Sequence, residues 1–345
     1  MPAVVHDFRQ IDFDSPGKRH YQVAFHLDGS WGYSLVPLTV IRGHRQANSK
    51  AVGVAVFGGT HGNEWEGQIA VKRLCRDLEA GALSGLVLLI PQLSESACAA
   101  NRRTSPLDNV NMNRAFPGDP KGTISVRIAH FVKTQVFPRV GVVADLHSGG
   151  VEGGFALCTS IHPVRDLKQR AEMVAAAQAF DTPFIFFYSS DMASGLLTDE
   201  AEAEGKIAVG GEFGYGETVN RMGVKHAYEG TLNLLRRYSL LDGEVQKVDR
   251  SRPGPPRIVA APDLEDYVPC PDSGIWEPRV DLGQDVKAGE IIGLLHNFGD
   301  HSSEPIEIRP HRAGVLIMMH APAQCAKGAT LYVMAQDYQD PRKPA

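Results

Sequence analysis

The chain of 345 residues has little cysteine: Cys75, Cys98, Cys158, Cys270 and Cys325, an odd and scattered set with no Cys-x-x-Cys pair. That excludes a disulfide framework and a zinc–thiolate site, and leaves buried or free thiols. No apolar run approaches the ~20 residues that span a bilayer, so no membrane partner is expected. There is no basic block either; the formal charge is -5 at pH 7, which argues against nucleic acid as a partner. Met1 to Gln10 shows no basic-then-apolar signal pattern, so a cytoplasmic location is the expectation. Nothing in the composition excludes a homo-oligomer.

What is present is core-forming. Hydrophobic residues make up 43% of the chain, and the length suffices for two domains. Residues 1–50 alternate in hydrophobicity at 21–27 and 35–41, which predicts edge strands and hairpins leading into a sheet. His20, His26 and His44 in this stretch read as surface or satisfied histidines. A short β-branched run, Ala51-Val52-Gly53-Val54-Ala55-Val56-Phe57, predicts a strand buried on both faces. It feeds Gly58-Gly59-Thr60-His61-Gly62-Asn63-Glu64, a glycine-rich turn with an imidazole and a carboxylate three residues apart. Both are good zinc ligands, and glycine lets the backbone aim them at one point. The plain alternative is a polar loop capping the next helix. The position favours a site, because open α/β sheets place theirs at the carboxyl ends of strands.

A helix is expected at 66–78 and a buried strand at 86–91. A polar loop then runs through 100–118, with three arginines, four asparagines and few acids. A loop of that length in a compact domain is usually functional, and arginine grips a carboxylate with two parallel hydrogen bonds. After a helix ending near Val136, a buried strand ends in Asp145-Leu146-His147-Ser148-Gly149-Gly150. His147 with His61 and Glu64 completes a two-His, one-Glu set that leaves a coordination position open. Asp145 lies on the same strand face and either orients an imidazole or ends the strand. A helix at 163–180, a strand at 184–187 and a helix at 193–204 follow. The next strand runs into Gly210-Gly211-Glu212-Phe213-Gly214. Enclosure there would raise the pKa of Glu212 toward the range of a general base. The competing role, an acid at the start of the helix from 217 or 218, fits Glu217 better.

Residues 251–257 break all periodicity and read as a linker, giving an expected division at 1–250 and 251–345. The tail is β-rich, with Gly-x-x-Val-x-x-Gly spacing that looks like a lipoyl/biotinyl-type half-repeat. No lysine stands at a hairpin tip, so a structural or substrate-gating module is the reading.

Four segments, Gly59 to Glu64, Asn113 to Gly118, Asp145 to Gly150 and Gly211 to Gly214, together resemble the succinylglutamate desuccinylase/aspartoacylase family. The resemblance covers roughly residues 45 to 240 in the family's order. It implies an α/β fold with a zinc-carboxypeptidase-like mixed sheet flanked by helices, and a C-terminal β-rich, barrel-sandwich-like domain. It implies one zinc per chain on His61, Glu64 and His147, a general base at Glu212, and carboxylate binding by Asn113 and Arg114. It also implies an upstream arginine that stabilises the carbonyl oxygen, with Arg103 in that place and Arg102 the alternative. Within the family the 103–118 run looks most like the deacetylases of ectoine breakdown, which act on N-acetyl-2,4-diaminobutyrate. The expected partner is a small-molecule N-acyl amino acid. The expected reaction is zinc-dependent hydrolysis of its amide. A metallocarboxypeptidase and a non-catalytic ligand-binding relative are the alternatives. Manganese, iron or cobalt would also suit such a mixed N/O site.

Overall fold

The computed structural model describes residues 2–29, 31–45, 52–189 and 194–338. Ala51 and Ala193, expected to open a strand and a helix, lie outside the described residues. The chain begins with β1 (Ala3–Val5), β2 (Gly17–His26) and β3 (Tyr33–Arg42), where β2 and β3 form an antiparallel hairpin. β4 (Val54–Gly58) leads into helix α1 (Trp65–Asp77), then β5 (Leu86–Ile90) and α2 (Glu95–Ala99). After the long loop come α3 (Ile124–Phe131), β6 (Val142–His147), β7 (Gly153–Phe155) and β8 (Cys158–Ile161). The helix expected to run to 136 leaves α geometry after Phe131, passing through one π turn and one 3-10 turn. Next are α4 (Leu167–Gln178), β9 (Phe184–Tyr188), α5 (Leu197–Ala203), β10 (Ile207–Glu212) and α6 (Arg221–Arg237).

These strands make one mixed sheet in the order β1-β2-β3-β5-β4-β6-β10-β8-β9. β5, β4, β6 and β10 are parallel, as expected for strands joined through helices. Successive residues of β4 go to opposite cores. Val54 and Val56 pack with Ala70, Leu74, Ala227 and Leu234 of α1 and α6. Ala55 and Phe57 pack with Ile124, Ile128, Leu197 and Ala201 of α3 and α5. Burial on both faces explains why the strand reads as a continuous apolar run. Gly67 lets α1 settle onto β6: a Cβ there would lie 2.1 Å from the Leu146 carbonyl oxygen.

The remaining strands are β11 (Arg257–Ala261), β12 (Tyr267–Pro269), β13 (Gly274–Pro278), β14 (Asp285–Val286), β15 (Gly293–His296), β16 (Ile306–Ile308), β17 (Gly314–His320), β18 (Gln324–Cys325) and β19 (Thr330–Asp337). β11 lies parallel to β9 and antiparallel to β19, which carries β17 and β12. A separate four-stranded sheet, β16-β15-β13-β18, faces this group across a core that includes Trp276, Ile292, Leu316 and Leu331. β17 also pairs with β7, so Met318 lies opposite Phe155 just beyond the His147 turn.

Candidate active site

Parallel order places the carboxyl ends of β4, β6 and β10 side by side, and four of the expected site residues, His61, Glu64, His147 and Glu212, lie at or just beyond those ends. The register sets Glu212 directly beside His147. Gly59 takes a positive φ of 65°, a backbone setting that favours glycine, and turns the chain so that His61 and Glu64 return over the sheet. The Glu64 carboxylate sits between the two imidazoles. Its Oε1 is 2.8 Å from His61 Nδ1, and its Oε2 is 2.8 Å from His147 Nδ1. Among the described residues, His61, Glu64 and His147 form the one group able to hold a metal, with ligand atoms all within 4.8 Å of one another.

The outer hydrogen bonds fix both rings. His61 Nε2 lies 3.0 Å from Asn111 Oδ1, and His147 Nε2 lies 2.7 Å from Asp145 Oδ2. Each Nε2–H thus donates outward and each Nδ1 is left facing Glu64, the arrangement typical of metal-ligating histidines. Asp145 takes a second hydrogen bond from Thr60 Oγ1 at 2.6 Å. Of its two sequence readings, the imidazole-orienting one matches this contact. Burial alone would raise the Glu64 carboxyl, but the His61 and His147 imidazoles outweigh it and hold it well below its usual range. Burial disfavours the charged His147 ring, yet Asp145 and Glu64 overcome that and push it well up. Two neutral imidazole nitrogens and one ionised carboxylate oxygen suit a divalent metal of the zinc type.

Glu212 lines the same cavity, which has a volume of about 620 Å³. Its Oε2 is buried with no hydrogen-bond partner among the described residues. Enclosure, then the Glu64 charge, raises its pKa to about 8. A carboxyl tuned to that range, with one oxygen free, is equipped to exchange a proton with water. Arg103 reaches the corner, with Nη1 3.1 Å from Glu64 Oε1. Asn113 and Arg114 also line the cavity, and Arg114 Nη1 donates to the Asn113 carbonyl at 2.6 Å. Asn113 Nδ2 comes within 3.4 Å of His147 Nε2. Both atoms are donors once Asp145 holds the ring, so the amide protons stay available to a ligand. Arg102 does not line the cavity; its side chain is exposed, and its backbone carbonyl accepts from Gly62 N–H.

Several residues had no role in the sequence reading. Glu66 is buried and accepts from Ser148 Oγ at 2.5 Å and from the Asn220 backbone N–H at 2.7 Å, tying the two site loops together. Its place two residues after Glu64 was the available signal. Glu217 is no helix-start acid: Asn220 caps α6, while Glu217 accepts from Asn63 Nδ2. Tyr267, Met318, His320 and Thr330 from the C-terminal region complete the cavity wall. No local pattern could have announced them, since their meeting with β6 and β10 depends on the fold.

Comparison with known proteins matches residues 50–238 to the succinylglutamate desuccinylase/aspartoacylase catalytic domain. The N-alpha-acetyl-L-2,4-diaminobutyric acid deacetylase of Halomonas elongata is 32% identical, over 94% of each chain. A succinylglutamate desuccinylase/aspartoacylase from Rhodobacter sphaeroides superimposes with a TM-score of 0.89 at 30% identity, covering 96% of this chain and 98% of that one. The product-bound ectoine utilization protein EutE (DoeB) from Ruegeria pomeroyi gives 0.87 at 29% identity, covering 95% and 97%.

Proposed function

The chain belongs to the succinylglutamate desuccinylase/aspartoacylase family, and from that membership we propose that it hydrolyses the amide of a small N-acyl amino acid with one bound zinc. The observation that carries the reading is the His61–Glu64–His147 cluster sharing a cavity with an unpartnered Glu212 oxygen. A zinc held by the three ligands would supply Lewis-acid polarisation of the carbonyl and a more acidic water. Glu212 takes the proton of the attacking water and returns it to the departing nitrogen. Arg103 stabilises the negative charge that grows on the carbonyl oxygen. Arg114 and the Asn113 amide hold the substrate carboxylate and so fix the scissile bond over the metal corner.

The products are a carboxylate and a free amine. The Halomonas relative makes Nα-acetyl-2,4-diaminobutyrate the first substrate to try. Residues 251–345 act as a β domain that narrows the cavity beside a catalytic domain of residues 1–250, and we place the reaction in the cytoplasm. Among the described residues no helix is long and apolar enough to cross a membrane. The wall built by Tyr267, Met318 and Thr330 favours a small substrate over a peptide C-terminus.

The test pairs elemental analysis with amine release from Nα-acetyl-2,4-diaminobutyrate and N-acetyl-aspartate, before and after chelation. About one zinc per chain and chelator-sensitive release from either substrate are expected. Zinc without cleavage of any N-acyl amino acid would overturn the assignment.

A further inference from the structure

The three metal-ligand candidates come from two elements. His61 and Glu64 lie in the turn entering α1, and His147 ends β6. A metal ion needs the spacing between these two elements to be set before it arrives. Asn111 and Asp145 fix the two imidazoles, and Glu64 has a support of its own. The backbone N–H of Ser148 donates to Glu64 Oε2 at 3.1 Å, on the oxygen that also meets His147 Nδ1. Ser148 follows His147 directly, so one short turn supplies a ligand and the donor that orients another.

The side chain of Ser148 is held from α1. Glu66 stands in the first turn of that helix, two positions after Glu64, and is 1% exposed. Each of its oxygens has one donor: Oε2 accepts from the Ser148 hydroxyl at 2.5 Å, and Oε1 from the Asn220 N–H at 2.7 Å. Asn220 in turn caps α6 by accepting from the Gly223 N–H at 2.8 Å. The carboxyl group thus bridges the turn after β6 and the start of α6. Gly214 makes room for it: a Cβ there would lie 1.9 Å from Glu66 Oε1. An apolar side chain could fill this space without burying a polar group. An enclosed carboxyl is costly unless its hydrogen bonds are made. What the glutamate adds to packing is a fixed position for the two donors it binds.

Two side-chain hydrogen bonds beyond the ligands themselves therefore tie the α1 end of the corner to the β6 end. Thr60 Oγ1 donates to Asp145, the acid that orients His147. Ser148 Oγ donates to Glu66, and the N–H of the same serine orients Glu64. The first tie was accounted for with the imidazoles; the second has had no part in the chemistry. We propose that Glu66 is a positioning residue of the metal corner: through the Ser148 hydroxyl it holds the start of α1 against the β6 turn, and so presets the spacing of Glu64 and His147 for a metal ion. Glu66 does not line the cavity, so it acts through Ser148 and never on the substrate. The proposal rests on the metal-binding reading of His61, Glu64 and His147.

The test reads metal affinity, apart from turnover. Metal-free wild type, Glu66→Gln, Ser148→Ala and the double variant are titrated with zinc against a chromogenic chelator, and their cobalt(II) forms are compared by visible absorption. Glutamine keeps the shape of the side chain but can no longer accept at both ends. Each single variant should bind zinc roughly tenfold more weakly than wild type, with shifted cobalt bands, because support behind a ligating carboxylate is lost. The double variant should also stand about tenfold below wild type, and not the roughly hundredfold of two independent losses, since both changes cut one link. Melting of the metal-free proteins checks that all four are folded. A tie that serves the fold alone would lower the melting temperature and leave zinc affinity and cobalt bands as in wild type, which would overturn the proposal while the metal reading stands. Additive losses in the double variant would overturn it too. If Glu66→Gln does not fold, Ser148→Ala decides: weaker zinc binding with shifted cobalt bands supports the proposal, and wild-type values overturn it. Wild-type protein that takes up neither metal would overturn the metal reading and this proposal together.

Discussion

His61, Glu64, His147 and Glu212 reach the cavity from the ends of three adjacent parallel strands, whereas Tyr267, Met318 and Thr330 reach it from the end of the chain through β12, β17 and β19. In the first group nearly every polar atom is held. Asn111 fixes His61, Asp145 fixes His147, Thr60 fixes Asp145, and Glu66 ties the flanking loops. Glu212 Oε2 is the exception. The second group presents mostly apolar surface, anchored through the pairing of β17 with β7. Precision is concentrated where bonds break, and shape is left to a wall that only has to be close. Substitutions at the strand ends should therefore act on metal binding and kcat, and substitutions in the wall on KM.

The sharpest way to break this contrast is Glu212→Gln. Proton transfer by a positioned side chain contributes about 10²–10⁴-fold, so kcat should fall by that much while metal content is unchanged. Elemental analysis alongside amine release checks both halves; retained turnover would remove Glu212 from the chemistry. Asp145→Asn comes next. It should weaken metal affinity by about 10–100-fold, because it loosens the His147 ring without deleting a ligand. Competition with a chelator would read this directly, and an unchanged affinity would leave Asp145 without a part in holding the metal.

The same contrast governs what could be read from the sequence. β4, β6 and β10 stood out because burial on both faces writes a continuous apolar run, and each run ends in a glycine turn carrying chemistry. The four motifs therefore gave the site's residue types and their order. Strand neighbours were another matter. That β10 lies beside β6, bringing Glu212 level with His147, follows from the helices between them and from no local pattern. The choice between Arg102 and Arg103 turned on a single loop residue's direction, which spacing does not encode; only Arg103 reaches Glu64. The contact of Glu66 with Ser148 passed unremarked because 82 residues separate the two. The C-terminal wall was legible as β structure, but its contact with the cavity was not.

A smaller effect tests the strand-end group through stability. In the metal-free protein Glu212 holds its proton up to about pH 8, because of enclosure and the Glu64 charge. The unfolded chain releases that proton near pH 4.5, the ordinary value for glutamate. Between the two the native state binds more protons than the unfolded state, so raising the pH through this window destabilises the fold. The slope approaches roughly 1.4 kcal/mol per pH unit inside the window, and the penalty is complete above it. Glu212→Gln removes it. The variant's melting temperature should therefore exceed that of the wild type increasingly from pH 4.5 to about pH 8, in chelator, and the gap should stop growing above that. A gap independent of pH would mean that Glu212 is not enclosed as described.

The smallest effect belongs to the far wall. Met318 is 8% exposed, pairs across the strands with Phe155 and lines the cavity. Met318→Ala should cost the core that Met318 shares with Cys158, Phe186, Val259 and Val333 on the order of 2 kcal/mol or more, since truncating a buried methionine leaves a void. Inside the cavity the same void adds room without altering a polar group. KM for a small acetyl substrate should rise by only a few-fold, and kcat should stay within about twofold, because no interaction unique to the transition state has been removed. Longer acyl groups should gain relative to acetyl. Steady-state kinetics on acetyl and butyryl derivatives of one amino acid would show it. A large loss of kcat with the metal still in place would mean that the wall helps to set the reacting geometry, and the division between precise strand ends and a permissive wall would not hold.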